Sequence, residues 1–249
     1  MAAGPAAVLG VLSPRTVDRV EWGTIAVLAV ITVVQLRRQP IPTKELARRV
    51  PPCIAGLCCF GVGIALFFKA HLGNAPWDVL HGGLSKRTGL PVGVIINLLG
   101  LLVLALWIPL KERIGLGTVL NALIIGLVVD AARDRMHDAH APWLQFLMTV
   151  AGTVTIAVGS GLYIGSRLGA GPRDGLMLGV ARLGLSVSAA RTVVEVGALV
   201  SGLALGGRIG VGTVVFVVLI GPAVQFLLPR LAMSSLAVDP TPEPIGPTA

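Results

Sequence analysis

The sequence predicts an all-α, polytopic helical membrane protein with two sequence-related halves and short interfacial or re-entrant helices. Hydrophobic residues make up 54% of the 249 residues and charged residues only 13%, whereas an average soluble domain is about a quarter charged. The apolar residues fall into long runs with almost no charge, and two motifs recur in the same order along the chain. A molecule with so few charges is suited to contact with lipid over much of its surface.

The apolar runs are candidate membrane helices because a spanning helix needs about 20 predominantly apolar residues. Glu195 is the only charged residue inside any of them. The runs cover residues 22–36, 51–68, 91–110, 114–129, 143–166, 192–207 and 209–229. Two shorter stretches, 76–85 and 172–183, cannot cross about 30 Å of hydrocarbon alone. Whether these short helices cross, and whether residues 22–36 span, is left open at this point.

The runs divide the chain into two membrane units with polar segments around them. Each tryptophan lies near the end of a run, which predicts a place in the interfacial aromatic belt for Trp22, Trp77, Trp107 and Trp143. The predicted order is a flexible N-terminus (1–20), an N-terminal helix (21–37), a basic connection (38–52), a first repeat (53–134), a polar connection (135–142), a second repeat (143–230) and a disordered tail (231–249).

The basic connection is predicted to face the cytoplasm because Lys and Arg accumulate in cytoplasmic loops. Its bases are Arg37, Arg38, Lys44, Arg48 and Arg49. This orientation explains the net charge of +8 better than nucleic-acid binding, since the bases lie at the ends of apolar runs. The predicted partners are therefore membrane lipid and a small solute, and the basic connection could also bind a protein partner or anionic lipid.

An internal duplication is predicted from two motifs that recur at nearly the same offset. Pro76-Trp77-Asp78 recurs as Pro172-Arg173-Asp174, 96 residues later, and each copy follows a Leu-Gly pair. Ile114–Thr118 recurs as Ile209–Thr213, 95 residues later, with the pattern Ile-Gly-x-Gly-Thr. If the short helices do not cross the membrane, each half crosses three times and the halves are inverted. If they cross, the halves are parallel.

Asp78 and Asp174 are the leading candidates for a solute site because they occupy equivalent positions, and repeat-built transporters bind substrate where their repeats meet. An alternative is structural, since proline at the first helical position followed by an acid also satisfies a helix N-terminus and its dipole. We expect Asp78 to be the more critical acid, because Arg173 beside Asp174 could compensate for its loss.

Other polar groups in or beside the apolar runs form a second rank of candidates. Glu195 follows Arg191 by four residues, which fits either an intrahelical ion pair or an intramembrane functional group. Each amide or acid within a run must find a hydrogen-bond partner there. Asp130 and Gln225 share the offset of 95 residues and could form one polar layer. The remaining candidates for the site are Asn97 and Asn121.

The sequence offers no positive sign of catalysis, a cofactor or a metal, and we expect none. The three cysteines cluster at one end of a run and are read as small residues between helices. His137 and His140 lie in a charged connection and are read as a solvated loop. The Gly-x-Gly-Thr turns could present N–H groups to an anion or make a tight link between helices.

The Leu-Gly-x-x-Pro-x-Asp motif followed by a Gly-x-Gly-Thr turn resembles the YczE/YitT-like group of bacterial membrane proteins over about residues 53–230. The resemblance implies a multi-pass protein of the bacterial cytoplasmic membrane. That group is largely without an assigned activity, and some members are linked to secondary-metabolite production. The function expected is transport of a small solute, an anion among the candidates. The alternative is a non-transporting accessory protein of a biosynthetic or export system.

Overall fold

The computed structural model describes residues 14–38, 41–110 and 114–233, and within them every regular element is a helix. Five of these helices, α2, α4, α5, α6 and α9, are long and apolar enough to cross a membrane. The predicted all-α polytopic class is confirmed. The helices are α1 (Pro14–Arg38), α2 (Thr43–Ala70), α3 (Pro76–Thr88), α4 (Val92–Leu110), α5 (Leu116–Arg135), α6 (Pro142–Gly165), α7 (Pro172–Ala181), α8 (Val187–Ala204) and α9 (Val211–Leu231).

Several helices begin earlier than the apolar runs predicted. Helix α2 begins at Thr43, so most of the predicted connection 38–52 is helical, with Pro51 and Pro52 inside the helix. An ion pair between Glu45 and Arg49, four residues apart, supports this polar first part. Helix α1 begins at Pro14, so the prediction of a flexible segment up to residue 20 is wrong for residues 14–20. Residues 1–13 and 234–249 lie outside the described residues.

The two ends of α5 define the two ends of the helical bundle, because its 20 residues are about 30 Å long. At the first end, the Gly117 N–H donates to the Leu168 carbonyl just after α6, at 2.8 Å. At the second end, the Ala139 N–H beyond α5 donates to the Lys69 carbonyl of α2, at 2.9 Å. Helix α6 therefore ends where α5 begins, and α2 ends where α5 ends.

The short helix α3 returns to the end of the bundle from which it starts. It follows α2, which ends at the second end, and it precedes α4. The Gly93 N–H at the start of α4 donates to Asp130 Oδ1 in the last part of α5, at 2.8 Å. Helix α4 therefore also starts at the second end, and α3 is re-entrant.

The short helix α7 is re-entrant from the opposite end. It follows α6, which ends at the first end. Helix α8 finishes at the second end, because Lys86 and Arg87 of α3 donate to the carbonyls of Gly206 and Leu205 just beyond it. Since α8 has 18 residues, or about 27 Å of helix, it starts at the first end. The two halves thus run in opposite directions through the bundle.

Helices α2 and α6 form the centre of the bundle through a reciprocal pair of glycine contacts. A Cβ added to Gly56 would lie 2.7 Å from the Gly159 carbonyl oxygen, and one added to Gly152 would lie 2.9 Å from that of Gly63. Gly56 and Gly152 are 96 residues apart, as are Gly63 and Gly159. Small residues at these positions let the backbones approach closely, which stabilises packing between membrane helices.

The Gly-x-Gly-Thr turns also make reciprocal contacts between the halves. The Gly117 N–H is bonded to Leu168, and the Gly212 N–H is bonded to the Leu72 carbonyl at 2.8 Å. The residue after each leucine is a glycine in the left-handed region, Gly73 with φ of 106° and Gly169 with φ of 130°. Because these N–H groups already have partners, the turns act as tight links. The Gly117 and Gly212 N–H groups are therefore not available to an anion.

Candidate functional site

Helices α3 and α7 both begin at one cavity of about 710 Å³ between the two halves. Residues from α2, α4, α5, α6, α8 and α9 complete its wall. The sequence could not show which of the predicted site residues meet, and the fold brings most of them to this one space. The predicted site residues that line the cavity are Asp78, Asn121, Asp174, Arg191, Glu195 and Gln225.

Asp78 is the buried centre of a charged cluster that joins the two halves. Its side chain is 2% exposed, and Oδ1 lies 3.0 Å from His81 Nδ1 and 3.7 Å from Arg173 Nη2. His81 follows Asp78 by three residues, so both side chains lie on one face of α3. The Arg173 guanidinium also lies 5.0 Å from the ring centroid of Trp77, within cation–π range. Arg173 therefore binds the first half of the molecule from the second.

This ion pair removes the reason for ranking Asp78 above Asp174. We expected Arg173 to compensate for its neighbour Asp174, but its guanidinium is paired with Asp78 of the other half. Asp174 is exposed and lines the cavity. Among the described residues it is in no ion pair. Asp174, rather than Asp78, is the acid available to a ligand.

Asp174 forms a polar corner of the cavity with Tyr163 and Asn121. A Cβ added to Gly171 would lie 2.8 Å from Tyr163 Oη, 3.1 Å from Asp174 Oδ2 and 3.6 Å from Asn121 Nδ2. Tyr163 is 3% exposed, and its hydroxyl has no hydrogen-bond partner among the described residues. Buried polar atoms are nearly always bonded. An unbonded hydroxyl at a cavity is a group available to a ligand.

Sequence reasoning missed Tyr163, His81 and Arg173 as members of the site. A signal was present for Tyr163, because it is the only tyrosine in the chain and lies inside an apolar run. For His81, the spacing of three residues from Asp78 was a weaker signal. Arg173 was noted only as the neighbour of Asp174, because its reach to the other half depends on the tertiary structure.

The predicted pair of Arg191 and Glu195 is present on α8. Arg191 Nε lies 3.0 Å from Glu195 Oε1, and both residues line the cavity. Gln225 of α9 also lies in the wall. The ion pair neutralises both charges locally, so its contribution to ligand binding is mainly polar.

Two predicted candidates, Asn97 and Asp130, do not line the cavity. Asp130 accepts a hydrogen bond from the Gly93 backbone and lies 3.8 Å from Arg133. The prediction of one polar layer with Gln225 is therefore wrong, because Asp130 links α5 to α4 instead. Asn97 is buried, and its Oδ1 has no partner among the described residues.

The tryptophans divide between surface and core. Trp22 and Trp143 are exposed, as an interfacial position requires. Trp77 and Trp107 are buried, so the interfacial prediction is wrong for both. Trp107 Nε1 donates to the Pro172 carbonyl at 3.1 Å. Its indole thus holds the start of α7 in place.

Comparison with known proteins gives the chain a family and a membrane location. A YczE protein of Bacillus subtilis described as an uncharacterized membrane protein is 33% identical over 191 residues, covering 75% of this chain and 88% of the relative. An uncharacterized protein of Haemophilus influenzae is 37% identical over 177 residues, covering 71% of this chain and 81% of the relative. No solved structure matches.

The resemblance that the motifs predicted is confirmed by these relatives. The pattern of a family of unknown function, DUF6198, matches residues 47–229. The match begins within α2 and ends within α9, so it includes both re-entrant helices and the whole wall of the cavity. The chain belongs to the DUF6198 family of membrane proteins.

Proposed function

We propose that this protein transports a small polar solute across the bacterial cytoplasmic membrane and binds it in the cavity between its halves. The observation that carries the proposal is the charged cavity at which two re-entrant helices from opposite ends of the bundle begin. Transporters built from inverted repeats place substrate at such interrupted helices near the membrane midplane. The proposal needs no catalytic residue or cofactor.

We infer that the halves are inverted repeats. The reciprocal bonds of Gly117 to Leu168 and of Gly212 to Leu72 support this inference. The reciprocal glycine contacts between α2 and α6 support it independently. Two related halves of opposite direction can exchange roles, which is the usual basis of alternating access.

The wall formed by α8 and α9 is the side we propose to open. Helix α4 packs closely against α5, whereas the equivalent helices α8 and α9 hardly touch. Residues from both α8 and α9 line the cavity. Their separation leaves this side with fewer packing contacts to break during movement.

The test is solute uptake in sealed vesicles that contain the purified protein, measured as retained radioactive solute and as solute-induced current. A panel of small amino acids, amines and carboxylates would be applied to the wild type and to a double variant, Asp78→Asn with Arg173→Gln, which removes both charges together. We expect at least one solute to give uptake or current with the wild type and little with the double variant. Asp138→Asn is the matched control, because Asp138 is exposed in the loop between α5 and α6.

Absence of any cavity-dependent solute uptake or current across the panel would contradict transport and favour the accessory function. That alternative predicts instead that a protein or anionic lipid binds the start of α2. Charge removal at Lys44 and Arg48 would then weaken the binding, and the double variant in the cavity would not.

The orientation is tested by labelling single cysteines in a variant without the native Cys53, Cys58 and Cys59. A cysteine at Lys44 should resist membrane-impermeant thiol reagents in intact cells, because basic segments stay in the cytoplasm. A cysteine at Asp138, near the opposite end of α2, should react. Reversed labelling would overturn the orientation.

A further inference from the structure

We propose that the corner formed by Asp174, Tyr163 and Asn121 binds a monovalent cationic group, supplied either by Na⁺ or by an ammonium group of the solute. The inference deepens the proposed function and rests on it. It assigns a ligand class to one part of the cavity.

The first argument is the set of atoms at the corner. The Asp174 carboxylate and the Tyr163 hydroxyl both lie within about 3 Å of the position that a Gly171 methyl would occupy. The Asn121 amide nitrogen lies 3.6 Å from the same position. The side-chain oxygen and nitrogen of asparagine exchange places when the amide group rotates by about 180°. Asn121 can therefore present its oxygen to a ligand. Three oxygen ligands with one negative charge suit a hard monovalent cation or an ammonium group.

The second argument is the charge balance of the wall. Among its described residues, Arg173 is paired with Asp78 and Arg191 with Glu195. Asp174 is the acid left over. The wall therefore carries one more carboxylate than guanidinium, which favours a cationic group over the anionic solute that the sequence left open. The position of Asp174 near the start of α7 also offsets the positive end of that helix.

The third argument comes from the first-half residues that correspond to Tyr163, Asn121 and Gly171, which are all apolar. Tyr163 corresponds to Phe67, Asn121 to Phe216 and Gly171 to Ala75, by the offsets of 96 and 95 residues. Phe67 and Phe216 pack edge to face with their ring centroids 5.5 Å apart. The equivalent positions are thus apolar in the first half and polar in the second. Because the first half has Phe67 at the equivalent position, the fold does not require the Tyr163 hydroxyl.

The experiment measures binding of radioactive sodium and of methylammonium to the purified full-length protein in detergent, with N-methylglucamine as the inert background cation. Asp174→Asn removes the charge, and Gly171→Ala fills the corner with a methyl group without changing any charge. Gly171 has φ of −63°, so alanine is accommodated by the backbone there. Gly197→Ala is the matched control because a Cβ at Gly197 meets nothing within 4 Å.

We expect Asp174→Asn and Gly171→Ala each to weaken cation binding by about tenfold or more, since a hydrogen bond or ligand to a charged group contributes about that factor. Tyr163→Phe should weaken it several-fold while keeping the fold, and Gly197→Ala should have no effect. Sodium binding that methylammonium does not displace assigns the corner to Na⁺. Methylammonium binding that sodium does not displace assigns it to the ammonium of a solute, and mutual displacement shows that the corner accepts both.

Failure to bind either cation, or unchanged binding in both Asp174→Asn and Gly171→Ala, would overturn this inference. Such a result together with intact cavity-dependent currents would leave the proposed transport function standing. Cation binding without any solute uptake or current would support the cation site and contradict transport.

Discussion

The two halves of the molecule share their backbone contacts and differ in the chemistry that they present to the cavity. Each half bonds its Gly-x-Gly-Thr turn to the Leu-Gly pair of the other half. Yet Tyr163 and Gly171, which lie beside Asp174, correspond to the apolar residues Phe67 and Ala75 in the first half. The comparison teaches that the shared fold depends on close backbone approach at glycines, while cavity-facing side chains are free to diverge.

Asp78 and Asp174 also differ in chemistry although they occupy matching positions in the two halves. Asp78 is buried and bound to His81 and Arg173, so it serves mainly to join the halves. Asp174 is exposed to the cavity and free of ion pairs among the described residues. Matching positions in the two recurring motifs therefore need not have matching roles.

The largest expected effect comes from breaking the charged joint between the halves. Arg173→Gln leaves the buried Asp78 without its cation, and removal of one partner of a buried pair costs about 3 kcal/mol. Adding Asp78→Asn should recover much of that loss, because no unpaired charge then remains. The loss in Arg173→Gln and its recovery in the double variant are both measured as free energies of unfolding in detergent. Asp174→Asn should cost less than about 1 kcal/mol. An equal loss for Arg173→Gln and Asp174→Asn would contradict the different roles of the two acids.

A smaller loss of stability is expected from alanine substitutions at the two glycine contacts between α2 and α6, and the two losses should differ. In Gly56→Ala, the new methyl would meet backbone atoms of Tyr163 and Gly159 at 2.6 and 2.7 Å, so the helices must move apart at a cost of about 1–3 kcal/mol. Gly152→Ala meets the Phe67 side chain at 3.0 Å and the Gly63 oxygen at 2.9 Å, and should cost less. Thermal unfolding in detergent would show the order, and the reverse order would contradict the packing described here.

The turn threonines should differ by one hydrogen bond. Thr213 Oγ1 accepts from the Gly210 N–H at 3.2 Å and donates to the Asn74 carbonyl at 2.8 Å. Thr118 Oγ1 accepts from the Gly115 N–H at 3.2 Å. At about 1 kcal/mol for each bond, Thr213→Val should destabilise the protein more than Thr118→Val. Equal values from denaturant titration would show that the bond to Asn74 contributes nothing.

The smallest effect concerns a contact at the second end of the bundle. His71 Nε2 donates to Asp138 Oδ1 at 2.8 Å, and Lys69 Nζ lies 3.7 Å from that oxygen. The His71 hydrogen bond and the Lys69 charge hold the pKa of Asp138 below its ordinary value of 3.8.

Because the pKa of Asp138 is lowered in the folded protein, its stabilising contribution is present above the ordinary value and is lost as pH falls through the lowered one. The acid is exposed, so the contribution is below about 1 kcal/mol. The difference in unfolding free energy between wild type and Asp138→Asn should shrink below about pH 4. A constant difference down to pH 2 to 3 would show that Asp138 contributes no such charge effect.

The sequence predicted the elements of the site better than their arrangement. Six of its candidates line the cavity, because intramembrane polar groups are costly and therefore stand out in apolar runs. Asn97 and Asp130 stand out for the same reason but lie elsewhere. Tyr163 escaped notice because a tyrosine in an apolar run is compatible with ordinary burial. The sequence shows which polar residues are unusual for an apolar run, but it does not show which of them face one another in the fold.

By itself, the sequence determined the membrane class, the family resemblance and the recurring motifs, because apolar run length and glycine spacing are local properties of the chain. Only the tertiary structure decided that α3 and α7 are re-entrant, since this follows from which helix ends are hydrogen-bonded together. It also decided that Arg173 pairs with Asp78 rather than serving its neighbour Asp174. Such contacts join residues far apart in sequence, and their distances depend on how the two halves pack around one cavity.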